Sequence, residues 1–234
     1  MKETIAKRAL RAVNLKEFPT ECYPEVVSSL ELSIPKEETY ILRMLIKRPF
    51  HSISLPKELH WVLPLVNKSL EYQQNTIMVE QPFCHLTIRS GIVKSTGDDQ
   101  WHTDGFSMQI THLPEQNYLW CDSNPTEFAI APINIPEDFS ALQHNLHLFI
   151  DDTLKTKNYQ FLTALPKTIY CFDPYVIHRR PPLTQGQQRT FIRVSFTPIE
   201  IMDDSNTPNP CLPTMLHNRE GVKDFRDGLK RYSA

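Results

Sequence analysis

The spacing of hydrophobic residues changes near residue 82. Before that point, apolar residues recur every three or four positions in two segments, which predicts helices over residues 36–48 and 56–74. After it, a helical spacing returns once, over residues 136–154, at Phe139, Leu142, Leu146 and Phe149. The other apolar runs after residue 82 are short, alternate with polar residues and predict strands. These runs are FCHLTIRSGIV, NYLWC, TIYCF, YVIH and RTFIRVSF.

This order of elements predicts a mainly β protein with flanking helices. Short strands separated by Pro-rich turns, after a helical block, are typical of a β-barrel or jelly roll with helices packed outside. Strands and helices do not alternate regularly, so a parallel α/β sheet is not expected. We expect one domain over residues 1–234, with a helical or irregular block (1–80), a jelly-roll core (81–200) and a tail (201–234) that holds a terminal helix near 219–232.

Composition narrows the classes of partner. The net charge of −2 gives no bulk basic field, so nucleic acid is not an expected partner. No apolar run is long enough to cross a membrane, and the charged N-terminus does not have the pattern of a signal peptide. The five scattered cysteines form no CxxC, which favours reduced thiols in a cytoplasmic protein. No glycine-rich phosphate loop is present either.

A possible metal site begins at the tripeptide His102-Thr103-Asp104. Side chains two residues apart on an extended segment point to the same side, so His102 and Asp104 can bind one ion. The best third ligand is His178, which ends an apolar run directly before a Pro-rich turn. Two histidines and one carboxylate are the facial ligand set of non-haem Fe(II) oxygenases, with positions left open. Zinc hydrolases use the same residue types, so the ligands alone leave the metal open.

A later strand carries Arg189, Arg193 and Ser195 at even spacing, and alternation places them on one face. Two arginines that face the inside of a β-barrel are unfavourable unless an anion meets them. A dicarboxylate cosubstrate fits this requirement. One carboxylate and its neighbouring keto group would chelate the metal, and the far carboxylate would pair with a guanidinium in a bidentate fork.

These motifs resemble the Fe(II)/2-oxoglutarate-dependent dioxygenases. WHTD and HRRPPLTQGQQRTFIR are most similar to the taurine dioxygenase branch, over residues 85 to 197, with arginines eleven and fifteen residues past His178. The resemblance implies a double-stranded β-helix (jelly-roll, cupin-like) core that binds Fe(II), 2-oxoglutarate and O₂. It also implies hydroxylation or desaturation of a small organic substrate, with succinate and CO₂ as coproducts.

The resemblance further assigns roles to single residues. It implies that Arg189 grips the tail of 2-oxoglutarate, that Arg193 assists or faces the substrate, and that Thr126, in PTEFA, helps bind 2-oxoglutarate. A second register remains open, because Arg193 and Ser195 have the RxS form by which other members hold the cosubstrate. The chain between Asp104 and His178 is shorter than in the taurine enzyme, which implies a reduced or relocated substrate lid.

Four more residues are candidates for substrate contact. Trp101 and Phe106 flank the ligands and either line the pocket or belong to the core. His85 and Arg89 share one face of their strand, which points into the barrel or outward. His144 and His147 are expected on a partly exposed helix face rather than at a metal.

The alternative function is a non-catalytic cupin-like protein that binds a metal or a dicarboxylate. The sequence leaves the substrate and the oligomeric state open.

Overall fold

The computed structural model of the protein describes residues 3–19, 21–93, 99–106, 113–140, 142–156, 159–182 and 186–212. The strands are β1 (Glu25–Ser29), β2 (Thr39–Lys47), β3 (Phe83–Ile92), β4 (Gln116–Cys121), β5 (Glu127–Ile130), β6 (Gln160–Thr163), β7 (Thr168–Phe172), β8 (Ile177–Arg179) and β9 (Gln188–Thr197). The α-helices are α1 (Ile5–Arg8), α2 (Leu63–Tyr72) and α3 (Leu146–Thr156). Short 3₁₀ helices span Leu15–Glu17 and Lys57–Val62, and a π-helical turn spans Gln73–Ile77.

The strands form two antiparallel sheets. A large sheet has the order β1-β7-β4-β9-β3-β2, and a small sheet has the order β6-β5-β8. Beside β8, His102 forms an isolated antiparallel bridge with His178 through two backbone hydrogen bonds of 3.0 and 2.9 Å. The segment that carries His102 therefore extends the small sheet at its β8 edge.

Three apolar clusters pack the helices and the two sheets against one another. The outer cluster packs the large sheet against α1 and α2, and includes Ile88, Ile192 and Val194. The middle cluster lies between the two sheets, with residues from β4, β7 and β5. The third cluster packs α3 against the other face of the small sheet. The central strands of each sheet thus bury both of their faces, one against helices and one against the other sheet, whereas β6 is exposed.

Residues 36–48 were predicted to be helical, and this was wrong: Thr39–Lys47 is strand β2. The strand pairs with β3 and buries Met44 and Ile46 in the outer cluster. Irregular pairing occurs between Ile41 and Met44, where Arg43 has a φ of 44°. Such a bulge breaks the two-residue alternation that identifies a strand, so the apolar spacing imitates that of a helix.

The predicted helix over residues 136–154 is correct only in its second half. Helix α3 begins at Leu146, where the Asn145 side chain accepts hydrogen bonds from the amides of His147 and Leu148 at 3.0 and 3.2 Å. An asparagine side chain satisfies the free N–H groups of a first turn in this way. Leu142, one of the spaced apolar residues, is exposed.

The helix predicted over residues 56–74 is present as consecutive helical turns. Strands β1, β5 and β6 were not predicted. The terminal helix expected near residues 219–232 lies outside the described residues. None of the described helices is both long and apolar enough to cross a membrane.

Candidate functional site

The two histidines of the predicted triad face each other across the extended edge of the small sheet. Their ring centroids are 4.5 Å apart. His102 Nδ1 lies 2.8 Å from the carbonyl oxygen of Gln100, and His178 Nδ1 lies 3.1 Å from that of Val176. Because a carbonyl oxygen only accepts, each Nδ1 is the donor in its contact, and Nε2 is the ring nitrogen that remains as a possible metal ligand. This is the arrangement by which a histidine is oriented to bind a metal.

Asp104 completes the cluster. Its Oδ2 lies 3.4 Å from His178 Nε2, and one ligand atom from each of the three residues lies within 4.8 Å of the others. Within the described ranges, this is the one group of histidine, cysteine, aspartate and glutamate side chains close enough to share a metal ion. The structure thus brings His102, Asp104 and His178 together, although they are separated by up to 76 positions in the sequence.

The charge states of the cluster suit a cation. Burial lowers the pKa of His102 to about 4, and the neighbouring His178 acts in the same direction. The imidazole of His102 is therefore neutral at physiological pH. Burial alone would raise the pKa of Asp104. The Arg193 guanidinium, together with the two histidines, outweighs it and holds that pKa well below its usual range. The site therefore presents a neutral imidazole at His102 and an ionised carboxylate at Asp104, which accepts a hydrogen bond from Arg193 Nη1.

Gly105 allows the chain to turn immediately after the carboxylate. Its φ is +82°, and a Cβ at this position would lie 2.7 Å from the Glu115 side chain. Both the left-handed backbone and the close contact exclude a larger residue without rearrangement. Gly105 therefore provides a tight exit from the extended segment, because the Glu115 side chain occupies the space beside it.

Arg189 lies deeper between the sheets than Arg193. Its Nε donates to the Asn124 carbonyl at 3.0 Å, and its Nη2 lies 3.3 Å from Cys121 Sγ. Thr126, buried at the start of β5, hydrogen-bonds to the same thiol. Arg189 and Thr126, assigned to one role by resemblance, therefore meet at one point. Arg189 and Arg193 are four residues apart on β9, about 13 Å along the strand.

Ser195 follows Arg193 along β9, on the side away from Arg189, and its hydroxyl is hydrogen-bonded. Its Oγ donates to Asn117 Oδ1 at 2.5 Å, and Asn117 Nδ2 donates to Glu115 Oε1 at 2.8 Å. This row of hydrogen bonds runs toward Gly105 and away from Thr126. Ser195 and Thr126 thus lie on different sides of Arg193, and the structure does not bring them together.

Trp101 does not reach the triad. It lies in the third cluster, behind the small sheet, and the Arg179 guanidinium is 4.3 Å from its ring centroid. Because successive side chains of an extended segment alternate, Trp101 points away from the face that carries His102. Trp101 is therefore a core residue, which was the alternative for it in the sequence, and its contact with a substrate stays a prediction.

His85 faces the space between the sheets, but the chain after β9 covers it. Its Nε2 accepts a hydrogen bond from the Ile201 amide at 3.3 Å, and its Nδ1 lies 3.4 Å from Thr197 Oγ1. Burial, followed by the charge of Arg43, lowers the pKa of His85 to about 3. The enclosed position of His85 favours a structural role, and its contact with a substrate stays a prediction. Arg89 lies on the same face of β3 but is exposed.

Phe106 and His147 make ring contacts that the sequence did not predict. Phe106, a candidate from the sequence, packs against Phe18 and Tyr175, which were not singled out. His147, expected on an exposed helix face, is exposed, yet its ring centroid lies 5.6 Å from that of His102. The sequence gives no spacing signal for these contacts, because they join segments far apart along the chain.

Comparison with known proteins gives no family. No protein-family model matches the chain, and no curated protein matches it. Among solved structures, the chain is similar to AviO1 from Streptomyces viridochromogenes Tue57, at 13% identity and a TM-score of 0.36, over 81% of this chain and 78% of that one. It is also similar to EvdMO1, at 13% identity and a TM-score of 0.33, over 56% of this chain and 33% of that one. Similarities this weak carry no conclusion about the site.

Proposed function

We propose that the protein is an Fe(II)- and 2-oxoglutarate-dependent dioxygenase that hydroxylates or desaturates a small organic substrate. The observation that carries this proposal is the cluster of His102, Asp104 and His178, whose ligand atoms lie within 4.8 Å of one another. An arginine and a threonine, Arg189 and Thr126, lie farther along the same inter-sheet space. These residues are the ligands and the anion-binding group that such an enzyme requires.

The strand arrangement supports a double-stranded β-helix. Two antiparallel sheets face each other, and consecutive strands cross between them, as β4 to β5 and β7 to β8 do. Such crossings are typical of a jelly roll. The candidate ligands lie on the small sheet and face the large one, so we assign the inter-sheet space as the interior of the jelly roll.

The donor set fits Fe(II). Two imidazoles and a carboxylate on one side of an ion leave its other positions free for small molecules. The carbonyls of Gln100 and Val176 hold both rings by their Nδ1 atoms. Zinc accepts the same donors, but it does not account for an arginine buried nearby between the sheets. The dicarboxylate does account for it.

Arg189 is the residue that we assign to the far carboxylate of 2-oxoglutarate. It is buried, and its present partners are a carbonyl and a thiol, which a carboxylate can replace with a stronger, charge-assisted pair. Arg193 already pairs with Asp104, and its companion Ser195 is bonded to Asn117. The contacts therefore favour the register that uses Arg189 and Thr126 over the one that uses Arg193 and Ser195.

When bound, Fe(II) with 2-oxoglutarate and O₂ supplies an oxidant strong enough to break a substrate C–H bond. The chain supplies orientation. His102 and His178 are fixed by backbone carbonyls, and Arg193 holds Asp104 ionised and aligned. Related halogenases lack the carboxylate, so the presence of Asp104 favours hydroxylation or desaturation.

The direct experiment is succinate formation. Protein shown to contain Fe(II) is supplied with 2-oxoglutarate and O₂, and succinate is measured with and without candidate substrates. We expect turnover from the wild type and none from His102→Ala, while His51→Ala, which changes an exposed histidine outside the cluster, retains it. No turnover by iron-loaded wild-type protein, coupled or uncoupled, would support the alternative of a binding protein.

A further inference from the structure

The candidate site is open to solvent on the side of Asp104. The side chains of Asp104 and Arg193 are 24% and 20% exposed, whereas that of His178 is 7% exposed. Phe106 follows Asp104 by two residues and is only partly buried. The partly buried ring of Phe106 is therefore only two residues from the exposed candidate ligand Asp104.

Phe106 belongs to an aromatic cluster that joins both segments carrying the candidate ligands. We call Phe18, Phe106 and Tyr175 the aromatic wall. The rings of Phe18 and Phe106 are stacked, with centroids 5.9 Å apart and planes inclined by 21°. Each meets Tyr175 edge-on, at 5.6 and 5.3 Å. Because Tyr175 precedes His178 by three residues, the wall reaches from the Asp104 segment to the His178 segment.

The N-terminal segment brings Phe18 to this wall and is anchored beside it. The guanidinium of Arg8 pairs with Asp173 at 2.6 Å, and both side chains are almost fully buried. The hydroxyl of Tyr175 accepts a hydrogen bond from the Asn14 amide at 2.9 Å. Both contacts tie the N-terminal segment to the turn between β7 and β8, directly before His178.

A third anchor ties the same segment to the chain that leads into α3. Lys16 Nζ donates to three backbone carbonyls, at 2.7, 2.6 and 3.1 Å, those of Pro136, Glu137 and Phe139. None of the three anchors is part of either sheet, and burying an ion pair such as Arg8–Asp173 has a desolvation cost. Together the three anchors hold the segment that carries Phe18 against the turn before His178 and the chain before α3.

We propose that Phe18 determines specificity at the candidate site, where the aromatic wall binds a flat ring in the substrate. This inference rests on the proposed function. Aromatic side chains bind rings by offset stacking and edge-to-face contact, and they add affinity beyond that of apolar burial. An organic cation is the competing ligand for such a surface. The wall itself contains no carboxylate, so we assign it to a neutral ring.

The experiment compares ligands that share an acid group and differ in the rest. The probes are 3-phenylpropionate, propionate and 3-(trimethylammonio)propanoate. Binding to protein loaded with Mn(II) and 2-oxoglutarate is measured by calorimetry, and stimulation of succinate formation is measured separately with Fe(II). We expect the phenyl compound to bind about tenfold more tightly than propionate.

Three variants test whether the ring of Phe18 causes the preference for the phenyl compound. Phe18→Ala and Phe18→Leu should lose most of the tenfold preference, whereas Phe18→Tyr should keep it, because only the last retains a ring. Leu10→Ala changes an exposed apolar residue on the same segment and should leave the preference intact. Thermal unfolding of each variant shows whether a loss of preference follows from unfolding.

Each outcome bears on the proposal. Equal binding of the phenyl compound and propionate by the wild type overturns it, as does tighter binding of the trimethylammonio compound. A preference that survives in both Phe18→Ala and Phe18→Leu also overturns it. Succinate formed by the wild type without any probe, and abolished by Asp104→Ala, tests the dioxygenase proposal alone. Calorimetry reports on Phe18 even if no succinate forms.

Discussion

The two faces of the large sheet are made by the same strands but carry different chemistry. On the outer face, Ile88, Ile192 and Val194 are fully buried against the helices. On the inner face, β9 presents Arg193 and Ser195, each of which bonds to a polar partner. On β9, the outer face thus packs by apolar burial, and the inner face holds charges in place beside the candidate site.

The difference shows how one strand performs both tasks. Neighbouring residues of a strand point to opposite sides, so Ile192 and Val194 can be core while Arg193 between them reaches Asp104. A shift of the pairing by one residue would exchange the two faces. Because the apolar face fixes the register of β9 strongly, it also fixes where Arg193 lies.

The largest effect should come from the inner side, with Asp104→Ala. Removing partners outside the ligand set typically weakens metal binding by about 10–100-fold, so losing a ligand should weaken Fe(II) binding by more than about 100-fold. Calorimetric titration with metal measures this. We expect the urea unfolding midpoint of the metal-free protein to change less than it does in an outer-face variant. Unchanged metal affinity would contradict the triad.

The next effect should come from the outer face, with Ile88→Ala. Truncation of a fully buried isoleucine leaves a cavity and should lower the free energy of unfolding by about 3 kcal/mol. Metal affinity measured below the unfolding transition should stay within about threefold of wild type, because Ile88 faces away from the site. If Ile88→Ala lost metal binding without losing stability, the proposed difference between the two faces would be contradicted.

The fold was predictable where the apolar pattern is regular. Strands β3, β4, β7 and β9 alternate cleanly or are bounded by turns, and the sequence predicts them. The pattern is misleading at β2, where a bulge at Arg43 breaks the alternation. Strand β6 is exposed throughout and carries no burial pattern, so its apolar spacing gives no signal.

The candidate site was predictable where its chemistry is carried by residue type and short spacing. His102 and Asp104 lie in one tripeptide. The third ligand then has to be a distal histidine that precedes a turn, which leaves few candidates. Phe18 and Tyr175 could not be found in this way. Their contacts depend on how the N-terminal segment packs against the turn between β7 and β8, which no local pattern encodes.

A smaller effect should separate the two arginines of the inner face. Arg189→Met should weaken 2-oxoglutarate binding by about 10–100-fold, because a charge-assisted pair to the carboxylate is lost. Arg193→Met should weaken it by less than about threefold, because Arg193 pairs with Asp104. Calorimetry with Mn(II)-loaded protein measures both. Loss of binding in the Arg193 variant alone would reverse the assignment and favour the register with Ser195.

The smallest effect concerns His85, which lies on the inner face but, in our assignment, serves stability. Its pKa is lowered from 6.5 to about 3, chiefly by burial. Between these values the unfolded chain takes up a proton that the folded protein does not. The stability that the neutral His85 contributes to the folded state is therefore fully present above pH 6.5. It is lost as the pH falls toward 3. If His85 belonged to a substrate pocket, this proton linkage would weaken once solvent reached the ring.

His85→Gln removes this titration while keeping a hydrogen-bonding side chain. Stability of the wild type should fall, relative to the variant, by about 1 kcal/mol between pH 7.5 and pH 5.5. Urea unfolding at the two pH values measures the difference, and His51→Gln is the control at an exposed histidine. A pH dependence equal in wild type and variant would mean that His85 is accessible to solvent. The inner face would then extend past Ser195 as a binding surface, where the contacts of Thr197 and Ile201 now close it.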